Sequence, residues 1–382
     1  MSEPKIKRMA DWPLDMWAEI IRFVSIFDVG TLYFTGDSKV TWALSNGAVR
    51  DVVMIYPEQP TQLGWIPMLK LFGNNLKSFF YDAGPIGAPL YHFPSKSDIE
   101  LLGNNLESVT IRSDGGEHAF WSTESGTTQI PPIPVPLEEM TPLDIGKLWP
   151  RLHTLDLAQY SPHRAHDFGD ALKTLPKGVT RLSLASTVYL GANRLQLLSS
   201  HLVFLKLSQC LIPCDHLKWL PRSLEHLRIS EVIAPIPADQ AEFHTPSGTP
   251  FSQEHYKEIS QNGSIDIEAF DDFPRQLSTL RFGVRNTCPA ECIVRLPPSL
   301  VTLKILNVKM NKEWFTLMKD HLPKLSVVRL EDRSSFDAAT EELPHLSKIL
   351  LRGAVYLRDH EKKEFVLQED TAPSYTVAND SY

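Results

Sequence analysis

Cysteine is scarce in this sequence, with four residues in 382, and this scarcity excludes a fold held together by disulfides. Long apolar runs are missing too, since no stretch reaches the roughly 18 uninterrupted apolar residues of a membrane-spanning helix. Residues 1–17 contain no apolar segment of the length found in signal peptides. Both absences predict a protein of the cytoplasm or the nucleus that makes no contact with a membrane.

Sequence motifs of catalysis and of nucleotide binding are also missing. The chain has no P-loop, no dinucleotide-binding glycine fingerprint, no nucleophile-elbow serine and no zinc-protease helix motif. The four cysteines form two pairs of the same spacing, Cys210 with Cys214 and Cys288 with Cys292. These pairs fall in different copies of the repeat described next, too far apart for one tetrahedral zinc ion. We therefore expect no catalytic residue, no metal site and no cofactor.

A pattern of three anchors, apolar-x-x-apolar-x-apolar, recurs along most of the chain. The eleven copies begin at Val49, Leu76, Leu106, Leu152, Val179, Leu202, Leu224, Leu277, Leu300, Leu325 and Leu346, the first copy being the weakest. The fifth, sixth and seventh copies follow each other at 23 and 22 residues, and the last four at 23, 25 and 21. This spacing, with its alternation at the end of each copy, resembles the leucine-rich repeat.

The repeat predicts a fold class. The last two anchors of a copy lie on one face of a short strand, and the residue between them lies on the other face. A single copy is too small to bury its apolar face, so stacked copies must form the core together. We expect an α/β fold, a leucine-rich-repeat solenoid with a parallel sheet on its concave face. A generic leucine-rich α/β domain is the alternative.

Two local signals accompany the repeats. Several copies are preceded by an apolar residue and a proline, as at 220–221, 273–274 and 296–297. Because proline cannot donate to a strand ladder, it marks a connection that ends just before the strand. Within residues 311–318, Trp314, Leu317 and Met318 recur at helical spacing, and this segment predicts a helix between two strands.

Two intervals between copies are about one repeat too long. The third and fourth copies are 46 residues apart, and the seventh and eighth are 53 residues apart. We interpret residues 113–147 and 234–273 as surface insertions in a repeat domain that spans 49–356. For the end of the second insertion, a degenerate repeat around residues 265–267 is the alternative. Residues 357–382 are polar and lack repeat anchors, so they predict a disordered tail.

Residues 1–48 do not follow the repeat and predict three short helices. Residues 12–24 predict a helix with a wide apolar face and a proline in its first turn. Asp28 fits the N-cap of a second helix, and residues 39–44 predict a third one that ends before Gly47. This arrangement resembles the F-box. The resemblance rests on Pro13, Leu14, Trp17, Ile20, Ile21, Val24, Asp28 and Leu32.

The F-box resemblance implies a partner and a role. F-box proteins dock these helices on the Skp adaptor of a cullin–RING ubiquitin ligase, and repeats downstream recruit a protein substrate. An F-box followed by leucine-rich repeats is a common arrangement in that family. On this resemblance the eight residues just named are adaptor-binding residues. The alternative is that the helices only cover the exposed end of the repeat array.

The predicted concave surface carries a basic stripe. The residue between the last two anchors projects from this surface, and in five consecutive copies it is basic: Lys206, Arg228, Arg281, Lys304 and Arg329. With strands about 4.8 Å apart, these residues form a stripe about 20 Å long. The stripe predicts a substrate-binding surface for an acidic or phosphorylated protein segment. The alternative is a solvated face whose long side chains cover the sheet, and the scarcity of aromatic residues there argues against nucleic acid.

The charge of the chain fits this interpretation. The two insertions carry −5 and −7 and the tail carries −3, so the rest of a chain with a net charge of −8 carries +7. The sequence therefore predicts a non-catalytic substrate-recognition adaptor of an SCF-type cullin–RING ubiquitin ligase. The alternative is a leucine-rich-repeat interaction scaffold with an N-terminal helical cap and no ligase role.

Overall fold

A computed structural model describes the chain in segments. They are 13–14, 16–17, 38–46, 48–55, 73–82, 101–112, 145–157, 172–185, 195–235, 265–284, 288–330, 332–351, 354–359 and 364–368. The chain forms two compact units: unit 1 contains residues 1–188 and 197–208, and unit 2 contains residues 189–196 and 209–382. Among the described helices, none combines the length and the apolar composition that a membrane crossing needs.

Unit 1 contains short strands that follow each other in chain order. They are β1 (Asp51–Ile55), β2 (Ser78–Asp82), β3 (Ser108–Arg112), β4 (Thr154–Leu157), β5 (Arg181–Ala185) and the first five residues of β6 (Phe204–Pro213). Each strand pairs in parallel with the next one. The second anchors of the copies stand opposite each other, as Leu155 does to Leu182 and Leu182 to Leu205. The register of this sheet is therefore the register of the repeat.

The strands of unit 2 also follow each other in chain order, but the pairing of the last strands is antiparallel. Its strands are β7 (His226–Ile233), β8 (Thr279–Gly283), β9 (Thr302–Leu306), β10 (Val327–Leu330), β11 (Lys348–Leu351), β12 (Ala354–Asp359) and β13 (Glu364–Leu367). Strands β7 to β11 are parallel, whereas β12 and β13 pair in antiparallel fashion. The predicted mixed α/β class with mainly parallel strands is confirmed.

The anchors form the core on one side of these strands. The second anchors, from Phe79 in β2 to Ile349 in β11, are no more than 1% exposed. The prolines before the strands open turns, because the carbonyl oxygens of Pro221, Pro274 and Pro297 accept hydrogen bonds from the first anchors three residues later. These three copies therefore enter their strands through the same turn.

Helices connect the strands. They are α1 (Ser38–Ser45), α2 (Ile145–Leu148), α3 (Cys292–Arg295), α4 (Lys312–His321) and α5 (Arg333–Glu342), together with 3-10 helices at Gly73–Asn75, Leu172–Thr174, Cys214–Trp219 and Ile267–Asp272. The helix predicted from Trp314 and Met318 is confirmed as α4, which buries both residues and begins after the capping residue Asn311. The third helix predicted near the N-terminus is confirmed as α1, one residue longer at each end.

The predicted second insertion is wrong at its C-terminal end. Residues 265–273 belong to unit 2, and their 3-10 helix buries Phe270 completely. Phe270 stacks on Phe273 at 5.6 Å between ring centroids and contacts the edge of Phe282 at the same distance. Phe270 thus joins the core from outside the repeat pattern, whereas Phe282 is itself the third anchor of its copy. Similarly, Ile145 in the predicted first insertion is 1% exposed; residues 113–144 and 236–264 lie outside the described residues.

The predicted disordered tail is wrong in its first part. Residues 357–359 complete strand β12, and residues 364–367 form β13. The ring of Tyr356 lies 4.7 Å from that of Phe336 in α5, and the ring of Phe365 lies 6.3 Å from it. The Arg358 guanidinium lies over the Phe365 ring at 5.0 Å and donates a hydrogen bond to the carbonyl oxygen of Pro344. This hairpin therefore packs against the last helix of the array.

Candidate functional site

Four of the five predicted substrate-binding residues stand in register on one face of unit 2. Arg228 of β7 pairs with Arg281 of β8, and Arg281 pairs with Lys304 of β9. Lys304 in turn pairs with Arg329 of β10. We call these four residues the basic row. With strands about 4.8 Å apart, the row is about 14 Å long.

The basic row points away from the core. In β8 the neighbours of Arg281, Leu280 and Phe282, are fully buried, and successive side chains of a strand project to opposite faces. We call the side that bears the basic row the outer face of unit 2. Lys304 is 8% exposed, while the three arginines are half-buried. Burial to this degree fits long basic side chains, whose apolar stems can cover a sheet surface.

The outer face has an excess of positive charge. The described strands β7 to β11 contain five lysine and arginine residues, the basic row and Lys348, and their one acidic residue is Glu231. Glu231 is 6% exposed and lies where β7 approaches the end of β8, since a Cβ added to Gly283 would lie 3.4 Å from its Cγ. The acid therefore lies at one end of a face whose other charges are basic.

A second column of side chains runs beside the basic row. It consists of His226, Thr279, Thr302, Val327 and Lys348, each paired with the next across neighbouring strands. The Nδ1 atom of His226 lies 3.5 Å from Oγ of Ser278. The two threonine hydroxyls can donate to an anion held by the guanidinium groups, which themselves form paired, charge-assisted hydrogen bonds with carboxylates and phosphates. The face therefore combines guanidinium, ammonium and hydroxyl donors on neighbouring strands.

The fifth predicted residue, Lys206, lies in unit 1. It pairs with Ser183 of β5, which pairs with Asp156 of β4. Ser183 is 3% exposed, and its Oγ has no hydrogen-bond partner among the residues that the structure describes. In the neighbouring column the Arg181 guanidinium lies over the ring of Phe204, 4.6 Å from the centroid. In its own unit Lys206 thus shares a row with a serine and an aspartate, unlike the four residues of the basic row.

The structure describes only the first three of the eight predicted adaptor-binding residues, Pro13, Leu14 and Trp17. Residues 14, 16 and 17 are helical, and the amide of Trp17 donates to the carbonyl oxygen of Pro13 at 3.3 Å. Leu14 is 40% exposed and Met16 is 46% exposed, whereas Trp17 is buried at 3%. The other five predicted residues, Ile20, Ile21, Val24, Asp28 and Leu32, lie outside the described residues.

Helix α1 also combines buried and exposed apolar residues. Val40, Ala43 and Leu44 are fully buried, and Trp42 is 39% exposed. The helix ends where the side chain of Asn46 donates to the carbonyl oxygen of Trp42 at 2.8 Å. The described N-terminal part therefore presents three large apolar side chains, Leu14, Met16 and Trp42, on its surface.

The cysteines form no metal centre within the described part of the chain, where no group of three or more metal-ligating side chains comes together. The neighbouring Cys288 thiol, burial and the Glu291 carboxylate raise the pKa of Cys292, and burial raises the pKa of Cys214. The raised pKa favours the neutral thiol form of both groups at physiological pH.

Sequence reasoning missed the residues that border the basic row at β11 to β13. Val355, Leu357 and Val366 lie in or beside the segment that was predicted to be a tail. The signal that could have found them is a pair of short apolar runs, 354–357 and 365–367, which are compatible with strands.

No protein-family model matches the sequence, and no curated protein sequence matches it either. Among solved structures, the chain is similar to the leucine-rich repeat-containing protein LegL7 from Legionella pneumophila. The identity is 14%, the match covers 88% of this chain and 90% of that chain, and the TM-score is 0.36. A likeness this weak carries no information about function.

Proposed function

We propose that this chain is a non-catalytic adaptor that binds an acidic or phosphorylated segment of another protein on the outer face of unit 2. The observation that carries the proposal is the basic row, in which four long basic side chains stand in register on four consecutive strands. An anionic segment that crosses these strands meets a cation on each of them. Arginine is suited to this role because its planar guanidinium binds carboxylates and phosphates in a bidentate manner.

The fold supports this use of the face. Parallel strands in repeat register, with helices on the core side, are what a leucine-rich-repeat solenoid would have, and we include such a solenoid in the proposal. In repeat proteins each copy contributes one strand to an extended binding surface. The ligand would contact one basic side chain of each copy, so that its affinity for the face is the sum of several moderate contacts.

The proposal includes a ligase role for the N-terminal helices. Its support is the F-box resemblance of residues 12–32, together with the apolar side chains Leu14, Met16 and Trp42 on the described surface. Exposed apolar side chains on short helices fit a helical partner. The protein would then hold the Skp adaptor through these helices and a substrate through unit 2. An interaction scaffold without a ligase role is the alternative, and the two differ in whether the Skp adaptor binds.

Charge reversal tests the binding face. The double substitution Arg228→Glu with Arg281→Glu should weaken binding of a nine-residue Glu/Asp peptide by more than about tenfold, a change of about 1.4 kcal/mol. Fluorescence anisotropy at low salt measures the affinity. Added salt should weaken wild-type binding, because partly exposed charges are screened.

The matched control is Lys309→Glu with Lys324→Glu, which makes the same change in net charge at exposed residues outside the strands. We expect this control to bind the peptide nearly as well as the wild type. If the two double variants lose affinity equally, total charge explains the binding and the basic row is not the site.

A further inference from the structure

The outer face of unit 2 ends in apolar side chains. Arg329 at the end of the basic row pairs with Leu350 of β11, and Leu350 pairs with Val355 of β12. In the neighbouring column Lys348 pairs with Leu357, and Leu357 pairs with Val366 of β13. We call Leu350, Val355, Leu357 and Val366 the apolar end. It continues the basic row without a gap in the strand order.

The apolar end lies on the face opposite the core. Tyr356, the residue between Val355 and Leu357, pairs with Ile349, and its ring contacts Phe336 of α5. Since successive side chains of a strand project to opposite faces, Val355 and Leu357 project to the outer face. Leu357 is 42% exposed and Val366 is 48% exposed.

A structural role as a terminal cap does not account for these residues. A capping element needs an apolar inner face and a polar outer one. The inner face of this hairpin is provided by Tyr356 and Phe365, which pack on α5. Its outer face nevertheless carries Leu357 and Val366. Adjoining exposed apolar side chains of this kind mark sites of interaction.

We propose, resting on the proposed function, that the ligand of unit 2 is a protein segment with two blocks. One block is acidic or phosphorylated and lies over the basic row, and the other carries large aliphatic or aromatic side chains and lies over the apolar end. Charge complementarity sets the position of the first block, and continuity of the two columns sets the position of the second. From β7 to β13 there are six strand spacings, about 29 Å, which an extended segment of about nine residues can span.

The order of the blocks gives the ligand a specific recognition pattern. An acidic segment alone would gain charge-assisted bonds but leave the apolar end exposed to water. Burying one large apolar side chain there should tighten binding by about tenfold or more. Electrostatic contacts set the rate and the register of binding, while the apolar contact adds residence time.

Three nine-residue peptides test this on the full-length protein. Each has five acidic residues; the first ends in Gly-Leu-Phe-Leu, the second ends in Gly-Ser-Ser-Ser, and the third distributes the Leu and Phe residues among the acids. Fluorescence anisotropy at constant salt should give at least tenfold tighter binding for the first peptide than for the other two. This comparison on the wild-type protein does not depend on the folding of any variant.

The double substitution Leu357→Thr with Val366→Thr should remove the advantage of the first peptide and leave the affinity of the second unchanged. Threonine keeps the strand propensity and adds no charge. The matched control is Val294→Thr in α3, where the side chain is 41% exposed on a helix, and it should keep the advantage. Light scattering at the same concentrations follows the oligomeric state of each variant.

The outcomes separate the two proposals. If the second peptide binds and the first gains nothing, or if the threonine variant keeps the gain, the two-block ligand is overturned while the acidic-segment function stands. If no peptide binds the wild type, the proposed function itself fails. If the threonine substitutions change the oligomeric state and not the peptide affinities, the apolar end is an interface between copies of this chain, and the two-block ligand is again overturned.

Discussion

Asp332 shows how one side chain begins helix α5, on which the last hairpin packs. Its Oδ1 accepts a hydrogen bond from the amide of Ser335 at 2.8 Å, and its Oδ2 lies 2.6 Å from the hydroxyl of Ser335. Burial acts in the opposite direction, but the hydrogen bonds from Ser334 and Ser335 lower the pKa of Asp332 below its ordinary value. The carboxylate is therefore the form that stabilises the helix, as at other helix N-termini.

Replacing this cap should destabilise unit 2. Asp332→Ala should lower the free energy of unfolding by about 1 kcal/mol at pH 7, because an amide at the helix start loses its acceptor. The folded-state pKa is depressed, so the contribution of the charge is present above the unfolded pKa of about 3.9 and is lost as the pH falls through the folded value. Urea unfolding at pH 7, 5 and 3 measures both effects.

Asp332→Asn is the control for this prediction, because asparagine caps a helix without a charge. It should keep most of the stability at pH 7 and lose the part of the acid dependence that Asp332 contributes. An alanine variant as stable as the wild type would contradict the capping role.

At the level of elements, the close approach of β7 and β8 depends on a glycine. A Cβ on Gly283 would lie 2.3 Å from the carbonyl oxygen of Ser230, which is a backbone atom and cannot rotate away. The two strands can reach this spacing only because the side chain is absent. The approach matters for the site, since Arg228 and Arg281 lie on the same two strands.

We expect Gly283→Ala to force these strands apart and to lower the stability by about 1–3 kcal/mol, as overpacking does. Gly178→Ala is the matched control, because a Cβ there would meet its nearest neighbour, Nδ1 of His153, at 3.4 Å, an ordinary contact. Thermal unfolding of both variants checks the difference. Equal midpoints would show that β7 and β8 can separate at no cost.

The predicted elements agree with the structure where the signal is local. The strands at every described copy and helices α1 and α4 follow from short-range spacing and capping residues, as with Asn311 before α4. The predicted insertion and tail failed for the opposite reason. Phe270 and Phe365 have no repeat spacing, and their places depend on Phe282 and Phe336, which come later or earlier in the chain.

For the whole molecule, the distribution of charge matters more than the net value of −8. Residues 113–147, 234–273 and 357–382 carry most of the excess acid in the sequence, whereas the described strands β7 to β11 carry one acid against five basic residues. A chain with a net negative charge therefore has a basic face on these strands. This explains why the net charge does not exclude an anionic partner.

The ligase role concerns the chain as a whole, because it requires two partners. The intact protein should recover the Skp adaptor in a pulldown, and Leu14→Asp with Met16→Asp should abolish recovery. Two negative charges at these exposed apolar positions oppose docking on the adaptor. Because the positions are exposed, the same charges lower the stability of the folded chain only slightly. Circular dichroism of the variant checks that it is folded.

Val301→Asp is the control for the pulldown, since Val301 is 38% exposed and lies far in sequence from the N-terminal helices. It should leave recovery unchanged. If the intact chain recovers no Skp adaptor, the protein is an interaction scaffold without a ligase role, and the binding face of unit 2 is unaffected by that result.

The sequence by itself determined the strand order, the register and the basic row. Because every copy has the same internal spacing of anchors, Leu280 stands opposite Leu303. The alternation of side chains along each strand then places Arg281 beside Lys304 on the other face. Only the tertiary structure decided the end of that face. The antiparallel return of β12 brings Leu357 beside Lys348, and this return depends on the packing of Tyr356 on Phe336, a contact that no periodicity in the sequence encodes.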